Sequence, residues 1–314
     1  SGHTVPVYFL DTALTENTPW DQTLTDQLYG GDNHYRLCQA VILGIGGAAM
    51  LSALGYRNIQ LYHMNEGHSA LLTLALAKEM VGGRSLSGLS RATIDAVRRR
   101  CVFTTHTPVP AGHDRFGEDM MRRYFADVPT WIGVPWERFF ALGQSADDPG
   151  QFNMTGLALN FAGYVNGVSR VHASVSQSLL QPFWPGLLED EVPIRAVTNG
   201  VHLPSWTHAS IGRLVGADDR FVTGADFEAQ AGAIDAGALW AAKRESRARL
   251  VRAVTRRLEQ RFVDRHDSPR LLARMLEGLA GDAMIIGFAR RFAPYKRADL
   301  LFQDPARLSA LLSR

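Results

Sequence analysis

Two hydrophobic periods take turns along the chain. Short apolar runs bounded by Gly, Pro, Asp or Asn predict strands at residues 5–10, 58–63, 101–105 and 192–197. Between them, apolar positions recur at helical spacing over residues 36–54, 68–80, 91–99 and 116–125. Residues 157–180 predict one or two further helices. Strands that alternate with helices of this length imply βαβ units and a parallel sheet, hence an α/β fold. In such sheets ligands bind beyond the carboxyl ends of the strands. The polar residues to watch therefore follow strands: Asn65 to His68, His106 and Asn199.

After Gly200 the pattern changes. An Arg-rich amphipathic helix is predicted over residues 239–262 and another over 271–279. An apolar strand is predicted at 283–288, then a charged loop, then a helix beginning near Arg297. One strand cannot make a sheet, so this reads as the opening of a second α/β domain. The division expected is residues 1–199 and residues 200–314.

Composition narrows the class. A chain of 314 residues suggests two domains. With 46% hydrophobic and 20% charged residues, wholesale disorder is excluded. A net charge of +2 is too small for general phosphate neutralisation, so no nucleic-acid partner is expected. Two cysteines, Cys38 and Cys101, argue against a disulfide scaffold and a thiolate zinc site, and no metal is expected. The longest apolar run, residues 40–55, is about 16 residues, short of the ~20 that span a bilayer. No basic segment followed by an apolar one opens the chain, so a cytoplasmic protein without a membrane partner is expected. Both ends look cut, since residue 1 is not Met and the last helical pattern has no stop signal.

Several candidate motifs have plainer explanations. Gly44-x-Gly46-x-x-Ala49 lies inside a helical pattern rather than at a strand-to-helix turn, so close helix packing accounts for it better than a dinucleotide. His63 and His68 are five apart and do not share a helix face, so a hydrogen-bonded strand-end turn is favoured over a metal site. Glu66, Asp114, Glu118 and Asp119 could supply a carboxylate pair, but read first as solvated acids. The arginines at 98–100 and from Arg247 to Arg261 read as solvated helix faces. Residues 290–297 differ: Arg290, Arg291, Tyr295, Lys296 and Arg297 crowd a predicted strand end before a predicted helix start. Arg forks, a Lys point charge and a helix N-terminus together favour a phosphate or carboxylate.

Seven segments in order then carry a resemblance. They are Asp26-Gln-Leu-Tyr-Gly-Gly-Asp32, Arg36-Leu-Cys-Gln39, His63-Met-Asn-Glu-Gly-His68, Thr105-His-Thr-Pro-Val-Pro110, Val165-Asn-Gly-Val-Ser-Arg-Val-His172, Thr198-Asn-Gly200 with Trp206, and Gly287-Phe-Ala-Arg-Arg-Phe-Ala-Pro-Tyr-Lys-Arg297. The chain resembles the α-glucan (glycogen, starch, maltodextrin) phosphorylase family, in its short prokaryotic branch, as an internal fragment. The resemblance is weakest over residues 209–282.

It implies a two-domain GT-B fold with the active site in the cleft. Residues 1–199 would be the later part of the N-terminal domain, and residues 200–314 a helical linker and the first βα unit of the C-terminal domain. The implied activity is a hexosyltransferase: α-1,4-glucan plus inorganic phosphate gives glucose 1-phosphate. Pyridoxal phosphate would serve through its phosphate group. Arg291 and Lys296 match substrate-phosphate ligands, and Arg290 with Lys296 faces the cofactor phosphate. Tyr295 and Asn199 match ligands of sugar hydroxyls. His106 matches a residue whose side chain meets the sugar 6-hydroxyl and whose carbonyl faces the anomeric carbon. Asp32 lies on a gating loop, and Glu66 and His68 line the sugar pocket. The resemblance allows a homo-oligomer.

Two departures stand out. No lysine here has the Ser-Gly-Thr-like setting of the family's cofactor lysine, so the span alone is expected to be inactive. Cys38 stands where the family usually has a basic residue. The rival readings are a GT-B glucosyltransferase using a nucleotide sugar and a non-catalytic glucan-binding module.

Overall fold

The computed structural model describes residues 4–28, 30–81, 89–216, 224–279, 281 and 284–313. It divides into two compact units, Ser1–Asn199 and Gly200–Arg314.

Unit 1 is built on a parallel four-stranded sheet. In chain order its elements are α1 (Asn33–Val41), α2 (Gly47–Ala53), β1 (Tyr62–Asn65), α3 (Leu72–Val81), α4 (Arg91–Arg98), β2 (Cys101–Thr105), β3 (Arg115–Gly117), α5 (Glu118–Phe125), α6 (Val128–Ile132), α7 (Trp136–Phe140), β4 (Gln151–Asn153), α8 (Met154–Phe161), β5 (Tyr164–Gly167), α9 (Arg170–Leu180) and β6 (Ile194–Ala196). The sheet order is β1-β2-β5-β6, and every pair is parallel. β3 and β4 form a separate antiparallel ribbon. Parallel strands must be covered on both faces, so they read as near-continuous apolar runs. β2 meets that demand: Cys101, Phe103, Thr104 and Thr105 are all buried.

The core gathers Phe103, Phe116, Phe125, Phe139, Phe152 and Phe161 with Leu37, Met64, Leu71, Leu74 and Leu76, all essentially without solvent contact. α8 is apolar on every side, the signature of a buried helix, and seven of its eight residues are buried. Helix starts are set locally by side-chain oxygens that accept an orphan N–H. Asp32 caps α1 through Tyr35 N–H at 2.9 Å, Ser90 caps α4 through Thr93 N–H, and Ser169 caps α9 through His172 N–H at 3.1 Å.

α1 and α2 are joined by a π-helical turn, Ile42–Gly46, so the helix predicted over 36–54 is continuous from Asn33 to Ala53. At 21 residues it is longer than the apolar run read from the sequence, and by length and composition alone it could cross a membrane. Here Leu37, Cys38 and Ala40 face the core and Arg36 pairs with Asp114. Gly44 is the close-packing residue: a Cβ there would lie 2.8 Å from both Leu71 Cβ and Leu72 N.

Four expectations are corrected. Residues 5–10 form no strand; Val5, Val7 and Phe9 are exposed. Pro6 removes a ladder donor, and no neighbouring strand pairs with the segment among the described residues. The span 157–180 contains, besides helix, the strand β5, whose short run Tyr164–Gly167 was hidden between two helical patterns. In unit 2 the strand expected at 283–288 is absent over the described residues 284–288, which leave Met284, Ile286 and Phe288 exposed; Ala283 lies outside the described residues. A strand exists only with a hydrogen-bonded neighbour, and no other strand occurs in the described part of this unit.

The helix expected near Arg297 begins later. Unit 2 consists of α10 (Leu203–Trp206), α11 (Ala209–Leu214), α12 (Gly224–Gly232), α13 (Ala236–Arg265), α14 (Pro269–Leu279) and α15 (Pro305–Leu312). Two 3-10 turns, Pro294–Lys296 and Leu300–Phe302, precede α15, and Arg297 takes a left-handed φ of 51°. Most of the α13 arginines, including Arg249, Arg252, Arg256 and Arg257, are solvent-exposed.

Because Gly44 meets main-chain and Cβ atoms rather than a flexible tip, Gly44→Ala should destabilise unit 1 by about 2 kcal/mol. Urea unfolding should register the loss as a lower midpoint at unchanged slope.

Candidate active site

The site is assembled where β1 and β2 end. β1 gives way to Glu66, Gly67 and His68, and β2 to His106. Glu66 N–H still donates to Thr104 O at 3.0 Å, which keeps the turn in register with the sheet. Its backbone then takes φ 68° and ψ 169°, a region essentially reserved for glycine. For a glutamate this costs of order 1–3 kcal/mol and persists only where surroundings enforce it. The enforcing contact is visible: Glu66 Oε1 accepts the main-chain N–H of His106. Glu66 Oε2 is buried and has no hydrogen-bond partner among the described residues.

A polar rung crosses the sheet beneath this turn. His63 Nε2 lies 2.6 Å from Thr104 Oγ1, which donates to Asn166 Oδ1 at 2.9 Å. His63 is thus a hydrogen-bonded strand residue, and no group suited to a metal ion occurs among the described residues.

The β3–β4 ribbon brings further groups to the same end. Met154 N–H donates to Asp114 O at 3.0 Å, and His113 Nδ1 lies 2.8 Å from Thr155 Oγ1. Asp114 forms an ion pair with Arg36 from α1. Burial pushes the Asp114 carboxyl up, against the opposing pull of Arg36, His68 and His113. Burial lowers the pKa of His68, partly offset by Glu66 and Asp114, and lowers that of His113, partly offset by Glu66. His113 Nε2, like Glu66 Oε2, has no partner among the described residues.

Of the residues singled out from the sequence, Glu66, His68 and His106 are therefore brought together. His106 is exposed. Asn199 follows β6; its N–H donates to Val168 O at 3.2 Å and its side chain is exposed. Asp32 is an exposed helix cap. Of the four carboxylates considered as a pair, Glu66 and Asp114 share the cluster. Glu118 instead bonds Arg122 and Trp136 on the surface of α5, where Asp119 is exposed. Arg36 entered the sequence analysis only inside a longer segment, and His113 not at all. The sequence signal for His113 was its place in the loop that leaves β2.

Unit 2 carries the cationic segment. Arg290 and Arg291 are exposed. The Arg291 guanidinium reaches Tyr295 Oη at 3.5 Å, and Lys296 Nζ lies 4.4 Å from the Tyr295 ring centroid. Lys296 sits in a 3-10 turn, not at an α-helix start; the α15 cap is Asp304. Any attraction this segment has for an anion comes from side-chain charge without a helix dipole.

The cationic set suits a phosphate group, such as that of the pyridoxal phosphate the resemblance implies. Lys78 lies over the Trp131 ring in unit 1, and Lys243 is exposed on α13. Cys38 and Cys101 are both buried thiols; burial pushes Cys38 up and Cys101 up to about 12, so neither is a nucleophile.

Fold and site together define an α/β protein with polar and titratable groups gathered at the carboxyl end of a parallel sheet, plus a separate segment suited to anions. No family model matches the chain. The chain is 36% identical, over 98% of its length, to glycogen phosphorylase of Mycobacterium tuberculosis. It is 36% identical over 98% to maltodextrin phosphorylase of Thermococcus litoralis and 33% identical over 98% to glycogen phosphorylase of Aquifex aeolicus. It spans 37%, 36% and 44% of those proteins' lengths. The resemblance to glycogen and maltodextrin phosphorylases read from the seven segments is borne out along nearly the whole chain.

Two outcomes follow. Glu66→Gly and Glu66→Ala remove the same carboxylate, but only glycine relieves the backbone, so the glycine variant should be the more stable by about 1 kcal/mol in urea unfolding. His68 and His113 have pKa values held below the ordinary 6.5, so below that pH the unfolded chain binds more protons than the folded one. Stability should be flat at neutral pH and fall as pH drops from 6.5, with His113→Gln flattening the slope; Asp114, raised by burial, has the opposite sign in the window above 3.8. Unfolding midpoints at a series of pH values check this.

Proposed function

We propose that the protein containing this chain is an α-glucan phosphorylase, a glycosyltransferase that releases glucose 1-phosphate from the non-reducing end of an α-1,4-glucan with inorganic phosphate. The observation that carries the reading is the Glu66–His106 bond at the sheet's carboxyl end, in a chain 36% identical to glycogen and maltodextrin phosphorylases. The fold proposed for it is GT-B, with Glu66, His68, His106 and Asn199 on unit 1 and Arg290, Arg291, Tyr295 and Lys296 on unit 2.

The roles follow from chemistry. His106 offers its exposed ring to a sugar hydroxyl, and its main-chain carbonyl can face positive charge developing at the anomeric carbon. That carbonyl acts only if the turn is rigid, and the Glu66 carboxylate supplies the rigidity at the adjoining N–H. On unit 1, Glu66, His68 and Asn199 are assigned to the sugar and Asp32 to a gating loop; on unit 2, Tyr295 is assigned to sugar hydroxyls. Arg291 and Lys296 hold substrate phosphate, and bidentate Arg with a Lys point charge suits a dianion. Arg290 and Lys296 would hold the phosphate of pyridoxal phosphate, which would supply proton exchange with the substrate phosphate. Its covalent lysine is not among Lys78, Lys243 and Lys296.

The test is glucose 1-phosphate release from maltooligosaccharide and phosphate by the longest native chain that contains this span. Activity is expected there. His106→Ala and Arg291→Ala should each lower kcat/KM about a hundredfold or more, the scale of losing one transition-state donor or clamp. The 314-residue span alone should give none. Glucosyl transfer from a nucleotide sugar without phosphorolysis would overturn the reading in favour of a synthase-type enzyme. Glucan binding with neither activity would mark a binding module.

A further inference from the structure

β2 lies between β1 and β5, and the turn at His106 is therefore flanked from both sides. From the β1 side, Glu66 Oε1 takes the His106 N–H. From the β5 side comes His172, in the first turn of α9, 8% exposed. Gly167 makes this approach feasible, since a Cβ there would lie 2.7 Å from His172 Nδ1.

The ring's hydrogen bonds fix its tautomer. Val168 N–H points at Nδ1 from 3.4 Å, and a main-chain N–H can only donate. Nδ1 must then be the unprotonated nitrogen, and Ser176 Oγ at 3.3 Å donates to the same atom. The proton is left on Nε2. That atom is buried, with no partner at hydrogen-bond distance among the described residues. The β2–β5 register Thr105↔Gly167 sets the next residues, His106 and Val168, side by side, and Val168 is the residue whose N–H holds the ring. Burial lowers the ring's pKa, and the His106 main chain and Glu66 act in the opposite direction. A buried donor left without an acceptor is costly, so the free energy favours closing this gap.

We propose that His172 is a positioning residue: its Nε2–H closes on the main-chain carbonyl of His106, so that the N–H and the C=O of one residue are gripped by Glu66 and His172 from the two flanking strands. The grip sets where the carbonyl dipole points. Its kinetic consequence rests on the phosphorolysis reading above; the hydrogen bond itself does not.

The experiment uses the longest native chain, loaded with its cofactor, in three forms: wild type, His172→Ala and His172→Gln. Glutamine keeps an amide N–H for the carbonyl and an oxygen for Val168 N–H. Hydrogen–deuterium exchange of the peptide covering residues 103–109 is read beside kcat and KM for glucan. His172→Ala should lower kcat about tenfold with KM nearly unchanged, and speed exchange at 106–109 while the β2 amides stay protected. His172→Gln should restore both to within about threefold of wild type.

An alanine variant that keeps wild-type kcat and wild-type exchange overturns the proposal. So does equal loss in alanine and glutamine variants with exchange raised throughout β2, the mark of a packing role. If no form phosphorolyses glucan but the local exchange pattern and its rescue stand, the functional reading fails and the positioning role holds. Should His172→Ala not fold, His172→Leu, which fills the volume without a donor, is read in its place against the same outcomes.

Discussion

Where β2 stops, the N–H of His106 leaves the ladder, and Glu66 receives it. Much else in unit 1 serves that one hydrogen bond. It holds Glu66 in a backbone region that glutamate otherwise avoids, at a cost the surrounding sheet must cover. The register Asn65↔Thr104 and the bond from Glu66 N–H to Thr104 O bring the carboxylate within reach. The polar rung His63–Thr104–Asn166 ties three strands together just below, so the turn stands on a cross-linked base rather than a free loop end.

The electrostatics around this turn arise chiefly from burial. His68 and His113 are kept toward the neutral form by desolvation, against the opposing pull of Glu66 and Asp114. Neutral imidazoles can donate and accept in the same site, which would suit the sugar hydroxyls of the proposed substrate. Unit 2 follows a different design. Its cations sit on a turn-rich segment, away from any α-helix start.

The motifs that could be read from the sequence were local ones. Cys101–Thr105 has the bounds its apolar run predicts, because a buried parallel strand leaves a continuous signature. Gly44 was readable as a packing glycine because it sits inside a helical pattern. The strand at Tyr164–Gly167 was not readable: four residues between two helices leave too little periodicity to separate. The apolar run at residues 5–10 misled for the opposite reason. It has strand composition but no described neighbour to bond with.

The sequence by itself determined the α/β alternation, the helix caps, the strand-end positions of Glu66, His68 and His106, and the likeness to phosphorylases. Each of these depends on residues close together in the chain or on their order. Tertiary structure alone decided that Glu66 reaches His106, forty residues away, that Arg36 meets Asp114, and that His172 comes to stand on the other side of the same turn. Local propensity carries no record of such pairings, because they form only when a sheet has placed distant strand ends side by side. It also could not tell a strand from an apolar run, because a strand is defined by the hydrogen bonds a neighbour returns.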